Sequence, residues 1–269
     1  MTARPLDGVR IVSIAVNLPG PVAVARLVAD GATAVKIEPP WGDPLRALNP
    51  EWYEELHAGV ETRVLDLKSQ AGAEAIRDLL AYTDIFIASH RPAALGRLGL
   101  DAEEMLQAFP HVRYLNIVGN TAQVEDPGHD LTYQAQEGLV TDRLPLTLLA
   151  DMTGAERAYA TALLLLRDEP GARREVGLFD CLQSLTAPIR HGLTAPGGPL
   201  GGANPAYGVY AARGGHVAVA ALEPHFRQRL YAALGLRDSA ALTDAFHHRT
   251  PEEWEAWAAE RDIPLAAVR

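Results

Sequence analysis

The feature that most constrains this chain is a regular alternation, from Val9 to Gly119, of short β-branched runs with segments of helical spacing. VRIVSIAV (9–16) reads as a buried strand, because a short apolar run closed by turn residues fits a strand covered on both faces. The breaker Asn17-Leu18-Pro19-Gly20 ends it, and Pro21, whose fixed φ suits the first helical position, opens a helix to Ala29. AVKIEPP (34–40) is a second strand, stopped by its prolines. The pattern then repeats, with helical spacing over 72–83, a strand over 84–89, a helix over 101–109 capped by Asp101, and a strand over 112–119. Parallel strands need crossover connections, and helices supply them. The sequence therefore predicts an α/β fold with a doubly wound, Rossmann-like parallel sheet in a large domain.

The pattern changes after Pro188. From there to Pro205 the chain is rich in proline and glycine, with the pairs Gly197-Gly198 and Gly201-Gly202, and has no apolar period. Beyond it, AYGVYAA and HVAVAAL flank a glycine-containing turn and predict a β-hairpin over 206–222, with a helix over 224–234. Thr250-Pro251-Glu252-Glu253 combines a cap, a first-turn proline and a capping-box glutamate ahead of Trp254 and Trp257. The chain thus divides into a large domain over 1–190, a linker over 191–205 and a smaller α+β domain over 206–269.

A formal net charge of −10 over 269 residues argues against a nucleic-acid or anionic-membrane surface, which needs a broad excess of Lys and Arg. A bound phosphate must be met by a few local cations. The single cysteine, Cys181, excludes an internal disulfide framework and a cysteine-rich metal site, and it fits a reducing compartment, so a cytoplasmic location is expected. Met1 to Arg10 has no apolar core of signal-peptide length, and no window of about 18 apolar residues occurs, so neither secretion nor membrane spanning is expected.

Familiar nucleotide signatures are missing. NLPGPVAV after the first strand is neither a G-x-G-x-x-G loop nor a Walker A motif; no G-x-S-x-G elbow occurs, and the nine histidines show no H-E-x-x-H spacing. No metal site and no tightly bound cofactor are expected. What remains is PGHDLTYQ (127–134), which seats His129 and Asp130 in the turn after a buried strand, and Asp151, which opens a long helix over 152–166. On residue types alone, Asp151 reads either as an N-cap or as a group placed where a helix dipole favours an anion, and His129 either as a loop histidine or as an acid/base group.

Several segments, in order, resemble the family that joins class III CoA-transferases with α-methylacyl-CoA racemases. They are PLDGVRIVSI, GATAVKIEPPWGDPLR, LDLKS, HRPAALGRLGL, PGHDLTYQ, ADMTG, GGHVAVAALEPHF and the closing RDIPLAAVR. The resemblance implies a coenzyme A thioester as substrate, with CoA arriving as part of that substrate, and a homodimer. In the racemase branch His129 and Asp151 would act as acid/base groups on opposite faces of the thioester α-carbon, with Glu223 of LEPHF assisting. One group removes the proton and the other returns it, through an enolate held by backbone N–H groups at the start of the 152–166 helix. In the transferase branch Asp151 would be a nucleophile, forming an acyl anhydride and then an aspartyl-CoA thioester.

The motifs favour the racemase, with a 2-methylacyl-CoA type substrate. The CoA-transferase is the alternative, and a non-catalytic CoA-thioester-binding protein is a third reading. Arg91 and Arg46 are the cations expected to meet the CoA, with Asp130 beside them in the binding motif. The sequence departs from the family in three places. HAGVE (57–61) replaces a cationic phosphate-binding run, leaving Arg63 or Lys68 to substitute. Met152 to Glu156 place side chains where the racemases carry a glycine-rich run. The sequence also ends at Arg269, ahead of the segment with which longer members close a ring, so the resemblance leaves open whether the rings of the dimer interlock.

Overall fold

The computed structural model describes residues 4–236 and 242–269; the opening Met1–Ala3 of the N-terminal segment and residues 237–241 of the predicted small domain lie outside them. The chain forms two compact units, 1–185 and 186–269, so the division falls ahead of the predicted glycine-rich linker.

The first unit carries six parallel strands: β1 (Arg10–Ser13), β2 (Thr33–Glu38), β3 (Val60–Val64), β4 (Ile85–Ala88), β5 (Arg113–Val118) and β6 (Arg173–Gly177). Their order in the sheet is β3-β2-β1-β4-β5-β6, with every pairing parallel. This is the doubly wound order of Rossmann folds, and the predicted fold class holds. Alternate residues of β4 serve opposite faces. Ile85 and Ile87 pack with Leu27, Leu115, Ala158 and Leu165, whereas Phe86 and Ala88 pack with Ile76, Leu80, Met105 and Tyr114. Both faces of the inner strands are covered, which is why β1, β4 and β5 read as apolar runs.

Element ends differ from the sequence reading where local chemistry competes. The first helix runs Pro19–Ala29, so Pro19 and not Pro21 takes the first helical position. The long helix runs Leu149–Leu165, with Leu148 as its N-cap. Asp151 is therefore inside the first turn and does not cap the helix. Gly154, Ala155, Ala158 and Ala162 form a small-residue stripe on this helix, and a Cβ at Gly154 would lie 2.2 Å from the Leu178 Cδ2.

In the second unit β7 (Tyr207–Ala212) and β8 (Gly215–Ala220) form the predicted antiparallel hairpin, and β9 (Leu265–Ala267) joins the far edge of β8. The Pro224–Leu234 helix and the Pro251–Ala259 helix with its Thr250–Glu253 capping box follow the sequence reading. Trp254 and Trp257 meet edge to face in the core of this unit. Among the described residues no helix is long and apolar enough to cross a membrane.

Candidate active site

In a doubly wound sheet the chain leaves neighbouring strands in opposite directions where the order reverses, and a crevice opens at their carboxyl ends. Here the reversal lies between β1 and β4. The segments that follow those strands, Ile14–Asn17 and Ser89–Arg91, are tied by a Val16 N–H to Ser89 Oγ bond of 3.1 Å. Two cavities open there, and they share Val16, Pro44 and His90 as a common wall. The larger, about 560 Å³, is mainly apolar, with Trp41, Leu65, Leu67 and Leu98 on its walls and the cations Lys68 and Arg97. The smaller, about 370 Å³, is lined by Asn17, Arg91, Asp126, His129, Tyr133 and Asp151 among others.

Asp151 is 8% exposed. Burial first, and the Asp130 carboxylate second, push its pKa up to about 6. Removing water from a carboxylate disfavours its charge, and a neighbouring carboxylate adds repulsion. The position is enforced by Asp130, which is itself buried. Its Oδ1 accepts from the Ala150 and Asp151 N–H groups at 2.7 and 3.1 Å, and its Oδ2 accepts from Gln134 Nε2 at 2.5 Å. Asp130 therefore anchors the start of the Leu149–Leu165 helix and does not line either cavity. Its bonds have a second consequence. The N–H groups expected to hold an enolate are already engaged, since Ala150 and Asp151 donate to Asp130 and Met152 donates to the Leu148 carbonyl at 2.9 Å.

Tyr133 completes this wall. A Cβ at Gly119 or at Gly128 would fall 2.2 Å from its hydroxyl, so both backbones close on the phenol as only glycine allows. Burial raises the Tyr133 pKa; the Asp151 charge adds to the rise, and Arg91 opposes it.

The other expected site residues are distributed unevenly. His129 is exposed and caps the Asp130–Gln136 helix through its backbone, with Thr132 Oγ1 accepting from its N–H at 3.0 Å; its residue lines the smaller cavity beside Asp151. Arg91 lines the same cavity. Arg46 lines neither cavity, because its guanidinium stacks 4.3 Å from the Tyr53 ring centroid and donates to the Tyr53 hydroxyl at 2.6 Å. Glu223 belongs to the second unit, exposed at the N-cap of the Pro224–Leu234 helix. Trp41, Arg97, His90 and Asn17 join the site without being marked as candidates by the sequence. Arg97 lies within the HRPAALGRLGL segment, and its spacing from Arg91 is the one signal that could have found it.

Glu38, Asp43 and His57 place their ligating atoms within 4.8 Å of one another, a spacing that suits a cation. The Lys36 ammonium sits among them, paired with Asp43, 3.2 Å from Glu38 and 2.7 Å from His57 Nε2. His57 Nδ1 lies 2.6 Å from the Tyr53 carbonyl, so it is the protonated nitrogen and Nε2 accepts from the lysine. A lysine thus fills the place a metal would need.

The profile of CoA-transferase family III matches residues 6–269. The chain belongs to CoA-transferase family III. The human succinyl-CoA:glutarate CoA-transferase is 28% identical over 148 residues, covering 51% of this chain and 34% of that protein. A probable fatty acyl-CoA transferase of Mycobacterium tuberculosis is 25% identical over 214 residues, covering 72% of this chain and 53% of that one. The chain thus spans between a third and about half the length of these curated relatives. A crystal structure of a hypothetical protein from Mycobacterium tuberculosis superposes with a TM-score of 0.86 at 21% identity, covering 99% of this chain and 85% of that one, a likeness of fold.

Within this family III chain the altered phosphate-binding run is structurally committed elsewhere. His57 joins the Lys36 cluster, and Glu61 pairs with Arg63 at 2.6 Å, which leaves Lys68 as the substitute cation that reaches a cavity. The side chains after Asp151 line neither cavity. Met152 packs beside Leu18, Val22 and Tyr53, Thr153 returns a 2.5 Å bond to the Leu149 carbonyl, and Glu156 pairs with Arg26.

Proposed function

We propose that the chain is a CoA-transferase whose nucleophile is Asp151. The observation that carries this reading is a buried carboxylate, with its pKa pushed up to about 6, on the wall of the smaller cavity at the sheet's reversal point. A desolvated carboxylate gives up little hydration when it attacks, and it stays mostly ionised near neutral pH.

The Asp151 carboxylate attacks the thioester carbonyl and expels CoA thiolate, leaving an acyl–aspartyl anhydride. The thiolate attacks the aspartyl carbonyl of that anhydride, releases the donor carboxylate and leaves an aspartyl-CoA thioester. An acceptor carboxylate then repeats the two steps in reverse order, and Asp151 is regenerated. The larger cavity suits the nucleotide, with apolar walls for the adenine and Lys68 and Arg97 for the phosphates. His90, Val16 and Pro44, which line both cavities, would lie alongside the pantetheine arm between the nucleotide and the thioester. Arg91 stands at the thioester end, where it favours the carboxylates that arrive and leave. CoA enters as part of the substrate, and the working unit is a homodimer.

The transferase names of the relatives support this reading over the racemase that the motifs favour, and so does the engagement of the helix-start N–H groups by Asp130. One observation favours the racemase: His129 and Asp151 line one cavity, as an acid/base pair requires. Hydroxylamine decides between them. A transferase incubated with an acyl-CoA yields an Asp151 hydroxamate by peptide mass analysis. Absence of the adduct, together with deuterium gain at the α-carbon of a 2-methylacyl-CoA in D₂O, establishes the racemase instead. Tight CoA binding with neither outcome leaves the non-catalytic binding protein.

A further inference from the structure

Asn17 follows β1 and has a φ of +69°, a left-handed conformation uncommon outside glycine, though asparagine tolerates it better than other side chains. What holds it is Asp43, from the segment after β2. Asp43 is 3% exposed, and its Oδ1 accepts the Asn17 N–H at 2.9 Å and the Leu45 N–H at 2.9 Å. Its Oδ2 meets the Lys36 ammonium, which Glu38 and His57 also hold. Lys36 is itself fixed in β2, in register with Ser13 of β1. A chain of bonds therefore runs from β2, beside the central strand β1, to the turn that walls the smaller cavity, the cavity that Asp151 also lines. An apolar plug of equal volume would fill this part of the core without the desolvation cost of two buried ions, but it would offer no acceptor to Asn17.

We propose that Lys36 and Asp43 are positioning residues: a buried ion pair that clamps Asn17 in its left-handed turn and so sets the cavity wall against which Asp151 reacts. The inference rests on Asp151 being the nucleophile. It goes beyond that reading by assigning work to residues that touch no substrate. Displacement of a cavity wall by about 1 Å is enough to cost a reaction up to a hundredfold in rate, because the reacting atoms must stay within attack distance.

The test uses Asp43→Ala in the full chain, with two readouts. The first is hydrogen exchange at the Asn17 backbone amide, read by NMR. It should accelerate by about tenfold or more once the acceptor is gone, and an unchanged rate overturns the clamp. The second is the rate of hydroxylamine-trapped adduct formation at Asp151. It should fall by about tenfold to a hundredfold with the KM for the CoA ester unchanged. Adding Asn17→Gly, which adopts a positive φ at little cost, should restore part of the rate in the Asp43→Ala background, whereas in the parent chain, where Asn17 lines the cavity, it should give no gain and lower the rate. The same factor in both backgrounds means the two positions are uncoupled and overturns the proposal. If Asp43→Ala does not fold, Asp43→Glu keeps the charge for Lys36 while moving the acceptor by one methylene, and the same two readouts apply. If the parent chain yields no adduct, the transferase reading fails, and amide exchange alone decides whether the clamp exists.

Discussion

Asp151→Asn should make the protein more stable, and only above a definite pH. The carboxyl has a pKa of about 6 in the folded chain, against 3.8 for an unperturbed aspartate. A raised acid pKa means that the folded state disfavours the charged form. The penalty is absent below the unfolded pKa, grows as pH rises from 3.8 towards 6, and is complete above the folded value. At 1.36 kcal/mol per unit, a shift of roughly two units corresponds to about 3 kcal/mol, and partial access of water to the side chain brings the expectation to about 1–3 kcal/mol. Asparagine keeps the shape and removes both the desolvation cost and the repulsion from Asp130. Urea denaturation at about pH 8 should therefore show the variant more stable by about 1–3 kcal/mol, and at about pH 4 the two proteins should coincide within about 0.5 kcal/mol. In thermal unfolding the gain corresponds to about 2–4 °C per kcal/mol for a unit of this size. The same variant should form no adduct, a trade of stability for function expected at a site that holds a desolvated charge. A variant no more stable at the higher pH, or equally stabilised at both, would refute the reasoning, because the carboxylate would then not be held against a desolvation penalty.

Four further outcomes follow from the same geometry. The rate of adduct formation should fall as pH drops through about 6, with about a tenth of the rate left one unit below, since only ionised Asp151 attacks; a flat profile from about pH 7 to 5 contradicts this. Gly119→Ala should destabilise by about 1–3 kcal/mol in urea, and Tyr133→Phe should recover most of the loss, because the added Cβ would meet the Tyr133 hydroxyl at 2.2 Å and the next ring atom only at 3.4 Å. Lys36→Met should cost about 3–5 kcal/mol by leaving Asp43 and Glu38 buried without their cation; a loss below about 1 kcal/mol counts against a charged cluster. His129→Ala should keep adduct formation within about tenfold of the parent chain, whereas a racemase would lose deuterium exchange by about a hundredfold or more.

The α/β architecture is written in the linear chain, because covering a strand on both faces demands the apolar runs at 9–16, 84–89 and 112–119, and parallel pairing demands the helices between them. So is the family, through ordered motifs from PLDGVRIVSI to RDIPLAAVR, and so are His129, Arg91 and Asp151, which line one cavity. The edge strands β3 and β6 are not legible there, since exposed Glu61 and Arg63 in one and Arg173, Arg174 and Glu175 in the other break the apolar run that marks β1, β4 and β5. Nor can a string of letters tell cations apart. Arg46 and Arg97 look alike in it, yet one stacks on Tyr53 and the other reaches the larger cavity. Asp130 and Asp43 read as motif members until folding brings their carboxylates to the N–H groups of Ala150, Asp151 and Asn17. Periodicity and motif order are local properties, and a chain carries them unfolded. The partner of a charge and the water around it are set by segments that meet only in the folded unit, which is why folding, and not composition, makes Asp151 a buried, reluctant anion.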